Sequence, residues 1–331
     1  SGSPETVTGT YGTLTVGANG TYTYVADQSA ADDLDLNDTA TDSFTYTISD
    51  GTATDTATLI FTVTGINDAP AAQNDVGVIV EDGTLTVSNG ANANLSGSYD
   101  ATGEHSGDVI DTSSSSHTDS DADDSASLVV SAIRVGSSEG SGTAGSIGSA
   151  LTGTYGQLTI AADGSYSYVA NQDAADALDV GDSVTDTFNY TLSDGTATDI
   201  GVITITILGA NDTPVANNDT GSVNEDATLT VSSASNGVTQ DNDTDVDGDD
   251  TVSSLTVTQI AVTGSSNSSV TSSTTYSNGT SVTGTYGTLV IGANGTYTYV
   301  ADQSAADDLD LNDTATDSFT YTISDGTATD T

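Results

Sequence analysis

The 331-residue sequence contains no cysteine, no lysine and no tryptophan. Without cysteine, neither disulfides nor thiolate-bound metals can contribute to the fold. Without lysine, a Lys–Asn isopeptide cross-link cannot form. Positive charge is confined to Arg134, against 43 Asp and 5 Glu, and the formal net charge is −47. That balance excludes nucleic acid and anionic membranes as electrostatic partners. No apolar run reaches the ~18 residues that a spanning helix requires, so no membrane insertion is expected.

The chain instead has repetition. Gly9–Thr56 returns at Gly284–Thr331 with two changes in 48 positions, Thr15 to Val290 and Val16 to Ile291. A diverged copy occupies Gly153–Ile200, so the copies start 144 and then 131 residues apart. Periods above 100 mean tandem domains rather than a solenoid. The copies carry regular Tyr, Phe, Leu, Ile and Val, unlike a disordered acidic chain. The runs Gly65-Ile66-Asn67-Asp68-Ala69-Pro70 and Gly209-Ala210-Asn211-Asp212-Thr213-Pro214 each follow an apolar strand pattern, and a Pro there ends pairing. They divide the chain into 1–70, the C-terminal half of a domain; 71–214, a complete domain with a polar insert at 89–125; and 215–331, a domain without its last strand. The sequence begins and stops inside a copy, as a window cut from a longer array would.

Within a copy, Leu14 and Val16 alternate with Thr13 and Thr15, and Ala18-Asn19-Gly20 predicts a hairpin turn. Tyr22, Tyr24, Phe44, Tyr46 and Ile48 follow at period two, as core positions. Gln28–Leu36 predicts one helical turn with Leu34 and Leu36 as plugs. Ser1–Val7 reads as a polar lead and Gly136–Thr152 as a Gly/Ser loop. If Glu81-Asp82-Gly83 is a hairpin, the middle domain has seven strands, starting near residues 76, 84, 127, 155, 165, 185 and 197. The third domain repeats the order with strands at Gly221–Val223 and Thr228–Ser232. The expected class is all-β, a linear array of tandem Greek-key seven-stranded β-sandwich domains.

An odd strand count places the loops. The chain enters at one end of each sandwich and leaves at the other. The acidic loop between strands two and three, the Asp-Gly turn between strands six and seven, and the incoming linker then share one end. At the first junction Asn67 and Asp68 are expected to meet Asp121, Asp123, Asp124 and Asp194. At the second, Asn211 and Asp212 meet Asp241, Asp243, Asp245, Asp247, Asp249 and Asp325, with Glu81 or Asp82 approaching from the preceding domain. Asp50 is the matching Asp-Gly turn of the first copy.

The residue types point to a hard cation. Asp, Asn and Gly in loops suit close oxygen ligation, and calcium takes six to eight oxygens. Asp243-x-Asp245-x-Asp247-Gly248 matches the first half of a calcium loop, with alternate side chains aimed at one centre and Gly permitting the turn. Loop position twelve is Ser254, so this is no EF-hand, and the remaining ligands would come from the linker. Asp119–Asp124 is a weaker match, with Asp124 where the pattern wants Gly. Two carboxylates ~4 Å apart repel by about 4 kcal/mol at an effective dielectric near 20. Converging acids would open an empty site, and a divalent ion would close it and fix the domain angle. Solvated turns or a halophilic surface are the alternatives.

The run NEDATLTVS, DNDTDVDGDD, VTGTYGTLVIGANGTYTYV and TDSFTYTISDGTATD, preceded by GANDTPVANND, resembles the VCBS-type, cadherin-like repeats of large bacterial RTX-type surface adhesins. The resemblance covers essentially the whole chain. It implies calcium-dependent extender domains, secreted or held at the cell surface and used in adhesion and biofilm, with neighbouring repeats as partners and Ca2+ as the cofactor. It carries over to Asn67, Asp68, Asn211, Asp212, Glu81, Glu225, Asp243, Asp245, Asp247 and Asp249. Asp75 and Asp219, which close the two linker stretches, join the candidate ligands.

No enzyme is indicated. His105 and His117 stand alone in the polar insert, and no nucleophile–base arrangement is present. The rival class is a glycan- or partner-binding module using Asn89–Ser125 or Ser265–Thr280, against which the lack of Trp counts. A further alternative is a head-to-tail filament of identical chains that lend one another missing strands.

Overall fold

The computed structural model describes residues 3–111, 117–123, 127–248 and 253–331. The described residues are nearly all β, with three one-turn α-helices, α1 (Ser29–Asp32), α2 (Asp173–Asp176) and α3 (Ser304–Asp307). Contacts divide it into two compact units. One holds Ser1–Ile79, Gly83–Ala170 and Val184–Ile207; the other holds Val80–Asp82, Asn171–Ser183 and Leu208–Thr331.

In the first copy, β1 (Glu5–Thr8), β2 (Thr13–Val16) and β3 (Tyr22–Val25) form one sheet, and β4 (Thr39–Ser49) pairs with β5 (Thr54–Thr64). The stretch expected as a polar lead is therefore a strand, because Glu5–Thr8 finds ladder partners in Thr13–Val16. Tyr22, Tyr46 and Ile48 are 51%, 44% and 59% exposed, while their middle-copy counterparts Tyr166, Tyr190 and Leu192 are 3%, 0% and 0% exposed. The core role expected of these tyrosines thus holds in the middle copy. In the first copy they are exposed.

The middle stretch contains β6 (Asp75–Val80), β7 (Thr84–Val87), β8 (Val129–Val135), β9 (Leu151–Thr152), β10 (Gln157–Ile160), β11 (Tyr166–Val169), β12 (Ser183–Ser193) and β13 (Thr198–Leu208). Seven start within two residues of the expected positions. The eighth, β9, lies in the supposed Gly/Ser loop, where Leu151 and Thr152 pair with Leu158 and Gln157. The sheets are β6-β13-β12-β8 and β7-β11-β10-β9. The Glu81 turn is thus not a hairpin. It carries the chain from one sheet to the other, with Asp82 in the left-handed region at φ 57°. Alternation sends Ile203, Ile205 and Ile207 of β13 inward with Leu158, Ile160, Tyr168 and Phe188, all fully buried. Each such aliphatic or Phe side chain contributes about 1.5–3 kcal/mol.

The third stretch contains β14 (Thr228–Val231), β15 (Thr256–Val262), β16 (Ser268–Ser269), β17 (Thr280–Thr283), β18 (Thr288–Ile291), β19 (Tyr297–Val300), β20 (Phe319–Ser324) and β21 (Thr329–Asp330), in the sheets β14-β19-β18-β17 and β16-β15-β20-β21. The strand expected at Gly221–Val223 is not formed. Its middle counterpart, β6, bonds to β13, and here the matching strand β21 has two residues.

One polar contact recurs in every copy. Asp186, at the start of β12, accepts the N–H groups of Thr154 at 2.8 Å, Tyr155 at 3.0 Å and Gly156 at 3.1 Å, and the Tyr168 hydroxyl at 2.6 Å. Asp42 and Asp317 do the same with Thr10-Tyr11-Gly12 and Tyr24, and with Thr285-Tyr286-Gly287 and Tyr299. Gly156 is obligatory because a Cβ there would lie 2.3 Å from the Val169 carbonyl oxygen. Burial, then the Asp42 hydrogen bond, pushes the Tyr24 hydroxyl up to about 12.

After the helical turn, Leu178 is buried, but Leu36, Val180 and Leu311 are 52%, 74% and 93% exposed. The second plug is therefore not one. Leu36 lies inside the turn closed by the Asp38 N–H on the Asp35 carbonyl, whose apex faces solvent.

Candidate metal centres

Each linker is held by the same set of contacts. In the first, the Asn67 amide donates to Asp194 Oδ2 at 2.9 Å and to the Asp68 carbonyl. The Asp68 N–H donates to Asp123 Oδ2 at 3.0 Å, and the Asp123 N–H to Asp121 Oδ1 at 3.1 Å. Carboxylate oxygens of Asp121, Asp123 and Asp194 lie within 4.8 Å of one another. Asp121 Oδ2 and Asp123 Oδ1 are buried and accept no hydrogen bond among the described residues. Burial raises the Asp68 carboxyl above its usual range, and the charges of Asp123, Asp32 and Asp121 add to this.

The second linker repeats the pattern. The Asn211 amide donates to Asp325 Oδ2 at 3.0 Å and to the Asp212 carbonyl. The Asp212 N–H donates to Asp247 Oδ2 at 2.9 Å, and the Asp247 N–H to Asp245 Oδ1 at 3.3 Å. Glu81 Oε1 accepts the Ala210 N–H. Glu81 Oε2 and Asp212 Oδ2 are buried and accept no hydrogen bond among the described residues. Burial, then the charges of Asp212, Asp247 and Asp82, pushes Glu81 up to about 7. Asp212 is raised by burial and by Asp247, Asp82, Asp176 and Asp245. The residues around this linker, Val80–Asp82, Asn171–Ser183 and Leu208–Thr331, belong to one compact unit.

The structure thus brings together Asn67, Asp68, Asp121, Asp123 and Asp194, and separately Glu81, Asp82, Asn211, Asp212, Asp245, Asp247 and Asp325. Others fall elsewhere. Asp243 does not share a centre with Asp245 and Asp247, as strict alternation required. Its Oδ1 takes the Asn217 N–H at 2.6 Å, and burial, with Asp219 and Asp330, pushes it up to about 6. Asp75 accepts the Tyr190 hydroxyl at 2.8 Å and Ser106 at 3.0 Å, and Asp219 accepts the Tyr321 hydroxyl at 2.7 Å. Asp75, Asp219 and Asp243 Oδ1 thus take donors near the start of each sandwich, while Asp243 Oδ2 is buried and accepts no hydrogen bond among the described residues. Asp50, Glu225 and Asp241 are exposed; Asp50 caps its own turn through the Thr52 and Ala53 N–H groups, both at 2.8 Å. Asp124 and Asp249 lie outside the described residues. Gly248 is not left-handed, so the turn itself does not demand it. A Cβ there would lie 3.5 Å from Asp179 Oδ1.

Sequence reasoning missed Asp32 and Asp176, which end the one-turn helices and act on Asp68 and Asp212. The signal was the acid recurring in SAADDLDL and DAADALDV, read as a plug alone. The histidines are spent locally. His117 Nδ1 lies 2.5 Å from the Asn74 carbonyl, and His105 Nδ1 accepts the Gly107 N–H at 3.2 Å.

The bacterial cadherin-like domain matches residues 2–65, 67–209 and 211–331, and the chain belongs to that family. A cadherin-like unit is a structural module of the extracellular, adhesion type rather than an enzyme. No curated protein gives a significant match. Among solved structures, the protocadherin GammaB4 extracellular domain is 12% identical at TM-score 0.35, covering 97% of this chain and 42% of that one. Drosophila N-cadherin EC1-4 is 13% identical at TM-score 0.29, covering 96% and 62%. An endo-fucoidan hydrolase of glycoside hydrolase family 107 is 13% identical at TM-score 0.24, covering 99% and 37%. The chain therefore spans less than two thirds of each, and at these scores the likeness carries no functional argument. Among the described residues, no helix is long and apolar enough to cross a membrane.

Proposed function

We propose that the chain is part of a calcium-stiffened extender of a secreted or cell-surface bacterial protein, an adhesin or matrix filament of the VCBS type, with no catalysis. The repeats divide at 70/71 and 214/215, and each uses its neighbour as partner. One observation carries the reading. At the first linker, carboxylate oxygens of Asp121, Asp123 and Asp194 lie within 4.8 Å of one another, with Asp121 Oδ2 and Asp123 Oδ1 buried and without donors among the described residues, and at the second Glu81 Oε2 and Asp212 Oδ2 are likewise buried without donors. This donor set is all oxygen, as calcium requires. Asp68, Asp121, Asp123 and Asp194 would hold the ion at the first junction, with Asp32 from the preceding copy. Glu81, Asp212, Asp245, Asp247 and Asp325 would do so at the second, with Asp176. When bound, calcium supplies the positive charge that the chain itself lacks.

The variant Asp245→Ala with Asp247→Ala tests this. In about 10 mM calcium, a range that saturates extracellular calcium modules, limited proteolysis is expected to cut residues 209–214 of the variant and to spare residues 65–70. Equal cleavage of both linkers, or of neither, would contradict the assignment.

A further inference from the structure

Cysteine and lysine are absent, yet the chain carries the groups for another kind of covalent cross-link. In the first copy, the Thr13 hydroxyl donates to Asp27 Oδ1 at 2.8 Å. The Gln28 amide donates to the same oxygen at 2.8 Å, and its nitrogen lies 3.4 Å from Thr13 Oγ1. The third copy has the same arrangement. The Thr288 hydroxyl donates to Asp302 Oδ1 at 3.1 Å, and the Gln303 amide nitrogen lies 2.8 Å from that oxygen and 3.5 Å from Thr288 Oγ1. In the middle copy Gln157 and Asn171 stand in the places of the threonine and the aspartate, while Gln172 keeps the amide. That copy therefore has the amide without the hydroxyl and the carboxylate at those positions.

The backbone holds these side chains together before any bond forms. Thr13 opens β2 and pairs with Val25 of β3. Gln28 precedes α1, its side chain makes no capping bond, and its N–H donates to the Tyr11 carbonyl at 3.4 Å. Thr288 pairs with Val300, and the Gln303 N–H donates to the Tyr286 carbonyl at 3.3 Å. Both threonines and both glutamines are half-buried. A hydroxyl whose proton a carboxylate accepts is an activated nucleophile. The Gln28 amide carbon is one bond from the nitrogen already in contact, and such fixed proximity replaces a bimolecular encounter. The Gln28 hydrogen bond, then that of Thr13, holds the Asp27 carboxyl below its usual range, so it is ionised at neutral pH.

We propose that Thr13 and Gln28, with Asp27 as the base, and Thr288 and Gln303, with Asp302 as the base, join in intramolecular ester bonds. Thr13 Oγ1 bonds to Gln28 Cδ and the Cδ–Nε2 bond breaks. The hydroxyl proton passes through Asp27 Oδ1 to the departing nitrogen, which leaves as ammonia. Asp27 Oδ1 touches both groups, so one carboxylate serves both transfers. The step needs no oxidant and no co-reactant. Each ester ties a hairpin, β2–β3 or β18–β19, to the helical turn that follows it, and it draws on none of the junction acids.

The intact mass of the purified full chain is expected to fall short of the sequence mass by two molecules of ammonia, one for each site. Peptide mapping is expected to find Thr13 joined to Gln28 and Thr288 joined to Gln303, with Gln172 unlinked. Thr13→Ala and Asp27→Asn are each expected to restore one ammonia, whereas Thr13→Ser, which keeps the hydroxyl, is expected to keep the link. An intact mass equal to the sequence mass would overturn the proposal. A deficit that survives Thr13→Ala combined with Thr288→Ala would overturn it as well, because the ammonia would then be lost elsewhere.

Discussion

In chelator at pH 8 the intact chain is expected to melt well below its melting temperature in about 10 mM calcium, and the gap is expected to narrow at pH 5. At a dissociation constant of ~10⁻⁴ M, that concentration is about 100-fold in excess. Each site then adds about 2.7 kcal/mol, or roughly 5–11 °C for a unit of this size. The pH dependence follows from the acids. Burial, with neighbouring charge, raises Glu81 to about 7 and Asp243 to about 6, and it also raises Asp68 and Asp212. A raised acid favours the folded chain below the unfolded carboxylate range and loses that contribution as pH climbs through its folded value. The calcium-free chain therefore loses stability between about pH 4.5 and 8. Calcium needs the ionised form, so its effect grows over the same interval. Calorimetry at both pH values, with and without chelator, checks this. A chelated chain more stable at pH 8 than at pH 5 would contradict it.

The second large effect is expected from Asp186→Ala. This carboxylate is 4% exposed and joins β12 to the turn before β10 through three N–H groups and the Tyr168 hydroxyl. Hydrogen bonds to a charged group contribute about 1.5–3 kcal/mol each, and buried donors left without a partner add to the loss. The contacts are not additive, but a total of about 4–5 kcal/mol, at the extreme of single substitutions, is expected. Tyr168→Phe, which removes one of the four donors, should cost about 1–2 kcal/mol. Denaturant unfolding measures both. Asp42 and Asp317 hold the same turn in the other copies, so proteolysis of Asp186→Ala should open residues 153–193 first. A variant as stable as the parent would show that the turn is held by packing alone.

Strands were legible because Thr, Ser and Asn alternate with Leu, Ile, Val, Tyr and Phe at period two. Hydrogen bonds join Asp123 and Asp194 to the incoming linker and Glu81 to the outgoing one, as expected, although the seven-strand count behind that expectation omits β9 and takes the Glu81 turn for a hairpin. Pairing partners were not legible. The Glu81 turn looks locally like a hairpin, yet its flanking strands join different sheets. Nothing in Gly221–Val223 itself reveals that its neighbour strand has two residues. The aim of each side chain in the acidic loop also escaped. Asp243 and Asp245 are alike in sequence, but a linker N–H captures Asp243 while Asp245 is left beside Asp247 and Asp212. Asp186 carries no local signal, because its partners lie about 31 residues away in GTYG.

The central claim is that calcium turns flexible linkers into fixed junctions. Small-angle X-ray scattering of the intact chain, recorded in about 10 mM calcium and again after chelation, tests it most directly. The maximum dimension is expected to be longer and the scattering that of a stiffer particle with calcium present, and both are expected to revert on chelation. A maximum dimension and flexibility that do not change with calcium would contradict the claim.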